Sequence, residues 1–374
     1  MKERAARSLA GHLGLASAFV AGVLAVAASH LVAAAPQKAA TAQDLARTPV
    51  QTVWPLPPDE PRIRYVAVYR GASDIGAVTK SRTTSLKEAL LGKDRVSPVQ
   101  RDPNAFKKPF GVAIDGYGRI IVTDTAQASV VVMDPARRVF VSIGELTQEA
   151  RFRVPVGVTV DQANNIYVGD NGVKRVLVFG PDLVYRSAVG QQDEMEAPSG
   201  VAVDDARQRL YVADSKKHAL LVYNLATGKL QARIGKRGAE DAQFNFPTGV
   251  AVGPDGFVYV TDTMNYRVQV FGPDLSFVRA FGALGVNPGE FRRPKGIAVD
   301  ADNVVYVVDS DYNNIQMFTP VGQPLMWVGQ LGTRPGQLAL PAGIAVSRQH
   351  RRIAVCEQYN RRVQVFERVG PAAR

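Results

Sequence analysis

Pro247-Thr-Gly-Val-Ala-Val-Gly253, then Tyr259-Val-Thr-Asp262, then Arg267-Val-Gln-Val-Phe271 is the stretch that decides the fold. Each run is rich in β-branched and aromatic residues, and Pro254-Asp-Gly256 between the first two is a turn. The opening run recurs as Pro109-Phe-Gly-Val-Ala-Ile-Asp115, Pro155-Val-Gly-Val-Thr-Val-Asp161, Pro198-Ser-Gly-Val-Ala-Val-Asp204, Pro294-Lys-Gly-Ile-Ala-Val-Asp300 and Pro341-Ala-Gly-Ile-Ala-Val-Ser347. Successive copies lie 46, 43, 49, 47 and 47 residues apart, the length of one propeller blade.

An acid closes every second strand, at Asp124, Asp170, Asp214, Asp262, Asp309 and Glu357, and six residues later a third strand has begun in every repeat. A fourth strand follows in five repeats, as in Phe277 to Gly282. The sixth repeat has none, whereas Arg62-Ile-Arg-Tyr-Val-Ala-Val-Tyr-Arg-Gly71 is a strand without a repeat. Joining the two removes an open edge. The expected fold is therefore all-β: a six-bladed β-propeller of four-stranded blades closed by an N-terminal strand. The insertion at 72–108 contains Ser85-Leu-Lys-Glu-Ala-Leu-Leu91, where Ser85 and Glu88 are spaced for a capping box and predict one short helix.

These residues resemble the NHL repeat family, whose pattern is Pro-x-Gly-Val-Ala-Val-Asp, Tyr-Val-x-Asp and Asn-x-Arg-Val-x-Val-Phe. The resemblance runs over residues 62–369 and is nearest at Tyr259–Phe271. Ser129 stands where the family favours arginine, and Glu357 replaces the usual aspartate. It implies an exported, bacterial-type NHL protein acting as a binding module. Propellers of related fold also include amidating lyases and lactonases, and some NHL propellers bind RNA through a basic face.

The first 35 residues read as a signal peptide or an uncleaved signal anchor: Lys2, Arg4 and Arg7, then an apolar run from Leu13 to Ala28, then small residues to Ala35. The first outcome gives a periplasmic or extracellular protein, the second a membrane-held one, Leu13 to Ala35 being long enough to span a bilayer. Residues 36–61 are a Pro-rich extended tether in which Trp54 is expected to pack on the propeller. Hydrophobic residues make up 46% and charged residues 21%, enough for a large core and against extensive disorder. The single cysteine, Cys356, excludes an intramolecular disulfide framework. A formal charge of +11 favours anionic partners without choosing among them.

Beyond residue 35 the histidines are His218 and His350, too few for a histidine-rich zinc site, and the sequence holds no Gly-x-Ser-x-Gly elbow, His-Glu-x-x-His helix or phosphate loop. No catalytic, cofactor-binding or metal-ligating residue is assigned. Phe110, Val156, Ser199, Thr248, Lys295 and Ala342, between each Pro and Gly, are expected to ring the axis, and none is a carboxylate. The loop leading into strand one and the turn between strands two and three share a face. The binding residues expected there are Phe110, Lys174, Lys216, Lys217, Tyr266, Lys295, Tyr312, Tyr359 and Arg361, cations interleaved with aromatics. Pairs Asp262/Arg267, Asp170/Arg175 and Glu357/Arg362 recur at one spacing, as structural ion pairs would. The function expected is a monomeric scaffold in the cell envelope binding a protein or anionic glycan. An enzyme of lyase or lactonase type is the alternative, and RNA binding is disfavoured by export.

Overall fold

The computed structural model describes residues 52–56, 59–77, 105–143, 151–191, 193–347 and 349–370. The expected signal segment, most of the tether and the expected helix at 85–91 lie outside the described residues. Six antiparallel sheets are present, five of four strands and one of five. Blade four shows the unit: Pro247–Val252, Val258–Asp262, Arg267–Phe271 and Phe277–Phe281, each paired with the next. The third strands begin at Ser129, Arg175, Ala219, Arg267, Asn314 and Arg362, so each has begun by the sixth residue after its acid, as the spacing indicates.

The core lies between blades. Side chains alternate across each sheet, so one strand feeds two interfaces. From blade four, Val258, Val260 and Phe271 pack with Tyr211, Leu220 and Val222 of blade three. Its Tyr259, Val268 and Val270 pack with Val305, Val307 and Phe318 of blade five. Each such fully buried side chain contributes about 1.5–3 kcal/mol.

The invariant Gly of the Pro-x-Gly opening is a matter of close approach. A Cβ on Gly157 would lie 2.6 Å from the Ser199 carbonyl oxygen, and one on Gly200 would lie 2.7 Å from that of Thr248. Gly111, Gly249, Gly296 and Gly343 meet the next blade's backbone at least as closely, Gly343 meeting Phe110 of blade one. The six first strands thus stack backbone on backbone around the axis. Gly200→Ala should cost about 1–3 kcal/mol, because the obstructing atoms are main chain and cannot rotate away. Urea unfolding of the variant checks this, and a loss below about 0.5 kcal/mol would contradict it.

The N-terminal strand closes the ring. Ile63–Tyr69 pairs antiparallel with Arg362–Arg368 in register Ile63↔Arg368 to Tyr69↔Val363, with a bulge between Tyr65 and Ala67. Arg64 and Glu367 form a 2.5 Å ion pair across it. The tether is more than a lead-in, since Val53–Trp54 adds a fifth strand against Ile63 and Arg64. Trp54 sets its edge on Phe366 at 5.8 Å between ring centroids. At the base of the insertion a 3-10 turn, Ala72–Ile75, buries both its apolar ends, and the Phe106 amide donates to the Arg70 carbonyl at 2.8 Å.

Candidate functional site

The six acids that close the second strands are all fully buried. Each accepts hydrogen bonds from the loop arriving at strand one: from the amides of Lys107, Arg153, Glu196, Asn245, Arg292 and Ala339, at 2.6–2.9 Å. In blades one, two, three and five the same carboxylates also bond amides of the turn after strand two, for example Gln127, Val173, Lys217 and Tyr312. Loop and turn are thereby held on one face. The acid is a structural clamp, and the face is as rigid as the clamps make it.

Four residues after each acid the backbone turns left-handed without glycine: Ala128, Lys174, His218, Tyr266, Asn313 and Arg361 have φ between 49° and 57°. Recurrence in all six blades makes this a requirement of the turn. Lys174, Tyr266 and Arg361 therefore occupy positions fixed by turn geometry. Tyr266 also packs its ring into the interface of blades four and five.

Two of the three expected ion pairs are present: Arg267–Asp262 at 2.9 Å and Arg362–Glu357 at 2.5 Å. The third is corrected. Arg175 instead donates to the carbonyls of Gly190 and Ala188, at 2.8 and 3.2 Å. Asp170 is already occupied by four amides, from Arg153, Val154, Gly172 and Val173.

The candidate face residues are distributed one blade at a time around the ring. Lys174, Lys216, Tyr359 and Arg361 are exposed. Lys217 reaches back to the Asp193 carbonyl at 2.5 Å, and the Tyr312 hydroxyl donates to the Gly285 carbonyl, so both tie down loops. Lys295 is half-buried over the Phe110 ring, 5.6 Å from its centroid. Three loops, leading into blades four, five and six, carry none of the candidate residues expected from sequence. In each, a parallel bridge folds the loop on itself: Arg237↔Phe244, Leu284↔Phe291 and Leu331↔Leu338. Phe244, Phe291 and Leu338 are buried, while Val286 at 77% and Leu331 at 69% exposure stand out with Leu284. Tyr359, 74% exposed, belongs to the same part of the face, since its neighbour Asn360 donates to the Gly332 carbonyl at 2.9 Å. The repeated Pro-Gly-Glu/Gln-Phe/Leu at 288–291 and 335–338 was the available signal.

Phe110, Val156, Ser199, Thr248, Lys295 and Ala342 do surround the axis, around a space of only about 60 Å³. Burial pushes the Lys295 ammonium down to about 8, with Arg293 and Lys108 adding repulsion and Asp311 opposing it. The sign follows. Between pH 8 and 10.5 the unfolded chain holds a proton that the folded one has released, so stability rises with pH there, and below pH 8 the folded protein carries the full cost of a buried cation. Lys295→Met should stabilise at pH 7 by about 1–3 kcal/mol and flatten the slope, as urea melts at pH 7, 8.5 and 10 would read.

A waist of six branched side chains, Val112, Val158, Val201, Val250, Ile297 and Ile344, separates this narrow end from a cavity of about 500 Å³ at the opposite face. Among the described residues no group of three His, Cys, Asp or Glu side chains is placed to hold a metal ion.

The NHL repeat model matches residues 152–179, 197–223 and 244–271, in blades two, three and four. Residues of this chain are 42% identical over 60 positions to the RING finger protein nhl-1 of Caenorhabditis elegans, 16% of this chain and 6% of that one. They are 32% identical over 102 positions to NHL repeat-containing protein 2 of Bos taurus, 25% of this chain and 14% of that one. The chain thus spans a small part of these relatives' length. Among solved structures, a streptogramin B lyase superposes with TM-score 0.53 and 12% identity, covering 71% of this chain and 94% of that one. A gluconolactonase from Xanthomonas campestris gives 0.56 and 13%, covering 71% and 87%. At such identities the likeness is one of fold. The chain carries NHL repeats in a six-bladed propeller.

Proposed function

We propose that this propeller is an exported, non-enzymatic scaffold that docks a protein partner in the cell envelope through the face built by the acid clamps. One observation carries the reading. Leu284, Val286 and Leu331 project from loops that are themselves anchored by buried Phe291 and Leu338, and Tyr359 projects from the neighbouring turn tied to them by Asn360, so apolar side chains are held out to solvent on a rigid base. Solvent alone gives no reason for such an arrangement, whereas an interface core does. Exposed Arg292, Arg293 and Arg361 border it, the charged rim that suits an acidic partner. Export rests on the basic, apolar and small-residue order of the first 35 residues.

The test is affinity purification from crosslinked envelope fractions, comparing wild type with Leu284→Asp/Leu331→Asp/Tyr359→Ala. These side chains are exposed, so the triple variant should keep its melting temperature within a few degrees. A discrete partner recovered by wild type and reduced at least tenfold by the variant is the expected result. Equal recovery by both, or none by wild type, removes the docking reading and turns attention to lyase and lactonase substrates.

A further inference from the structure

The cavity of about 500 Å³ lies on the opposite face from the docking loops and has no part in the reading above. It exists because the six first strands splay below the waist, where the side chains of Ile114, Val160, Val203 and Val346 are too small to meet across the axis. Its size is that of a small-molecule site, and Val and Ile side chains of the first strands form its floor beneath a polar mouth.

The charges at its mouth narrow the ligand. Asp115 is taken by Arg119, at 2.5 Å. Asp161 is taken by Asn165 and by the Tyr167 hydroxyl, at 2.7 and 3.0 Å. Asp205 differs. The half-buried carboxylate accepts only the Gln162 amide, at 3.2 Å to each oxygen, and has no ion pair among the described residues. Burial raises its pKa, and the Asp161 and Asp204 carboxylates push in the same direction. The described lining contains no Lys, Arg or His, on a chain of net charge +11. A negative, partly dehydrated group that meets no cation among the described residues, above a floor of Val and Ile side chains, is complementary to one kind of molecule.

We propose that this end of the axial channel binds a small organic ammonium ion, its charge against Asp205 and its apolar body against the Val203, Val160 and Ile114 walls. Gln162, whose backbone amide meets the Asp205 carboxylate, lines the same part of the mouth, and its side-chain carbonyl supplies an acceptor for a remaining ammonium proton.

Benzylammonium and its uncharged counterpart benzyl alcohol, titrated into the full-length protein at pH 7 and followed by ligand-observed NMR, test this. The expected result is saturable benzylammonium binding with a dissociation constant of about 1 mM or lower. Benzyl alcohol and the Asp205→Asn variant should each show at least about tenfold weakening, equivalent to about 1.4 kcal/mol. Val203→Phe should abolish binding by filling the cup, and it keeps the proposal testable should Asp205→Asn fail to fold. Leu331→Asp, on the docking face, should bind benzylammonium as wild type does. Absence of saturable binding, equal binding of the alcohol, or binding unaffected by Asp205→Asn and Val203→Phe would overturn it.

Discussion

Glu357→Ala lowers the stability of the propeller by about 3–5 kcal/mol, the range for stripping one partner from a buried ion pair. The carboxylate is completely buried and accepts from Arg362 Nε at 2.5 Å, Asn360 Nδ2 at 2.6 Å, Gln364 Nε2 at 2.7 Å and the Ala339 amide at 2.9 Å. Alanine leaves the Arg362 guanidinium, itself 3% exposed, without a counter-ion, and frees the loop that carries Leu331. Arg64→Ala removes an ion pair whose partners are 40% and 26% exposed. It should cost about 1 kcal/mol or less. Chemical denaturation of the two variants side by side gives the contrast, and equal losses would mean that the clamp carries no special weight.

Removing residues 1–71 should abolish cooperative folding, whereas removing residues 1–51 should leave it intact. The longer deletion takes away Ile63–Tyr69 and leaves Arg362–Arg368 as an unpaired edge next to blade one. Its Val363, Val365 and Phe366 are now buried, and their exposure together with lost ladder hydrogen bonds amounts to several kcal/mol, comparable with the whole stability of a domain. Cys356 gives a direct readout. The thiol is fully buried, its pKa is raised well above the usual value by that burial, and it contacts the Gly111 carbonyl across the seam of blades six and one. It should resist thiol reagents in the intact ring and in the shorter deletion, and react rapidly in the longer one.

The blades were legible in sequence because ring geometry imposes itself on single residues. The glycines of Pro-x-Gly stand where the next backbone occupies the Cβ position, and the acids stand where two loops must be tied. Closure was legible because a repeat lacked a strand and a strand lacked a repeat. The Asp170–Arg175 pair was misread because spacing fixes cross-strand register but not which donor reaches a carboxylate first. Blade two saturates Asp170 with four amides and places Leu177 where blade four has Gln269. Exposure of Lys217, Tyr312 and Lys295 could not be read either, since their partners Asp193, Gly285 and Phe110 lie 24, 27 and 185 residues away in sequence. The wide cavity had no local signature, because its volume depends on how far six strands diverge together.

The scaffold reading is most directly tested by placing a photo-crosslinking amino acid at Leu331 in one protein and at Tyr117 in another, then irradiating whole cells. Both side chains are exposed, and Tyr117 lies in the turn after strand one, on the opposite face. A discrete, partner-sized adduct from position 331 and none from position 117 is the predicted result. Adducts of the same pattern from both positions, or from position 117 alone, would contradict the claim that the clamped loops form the docking face.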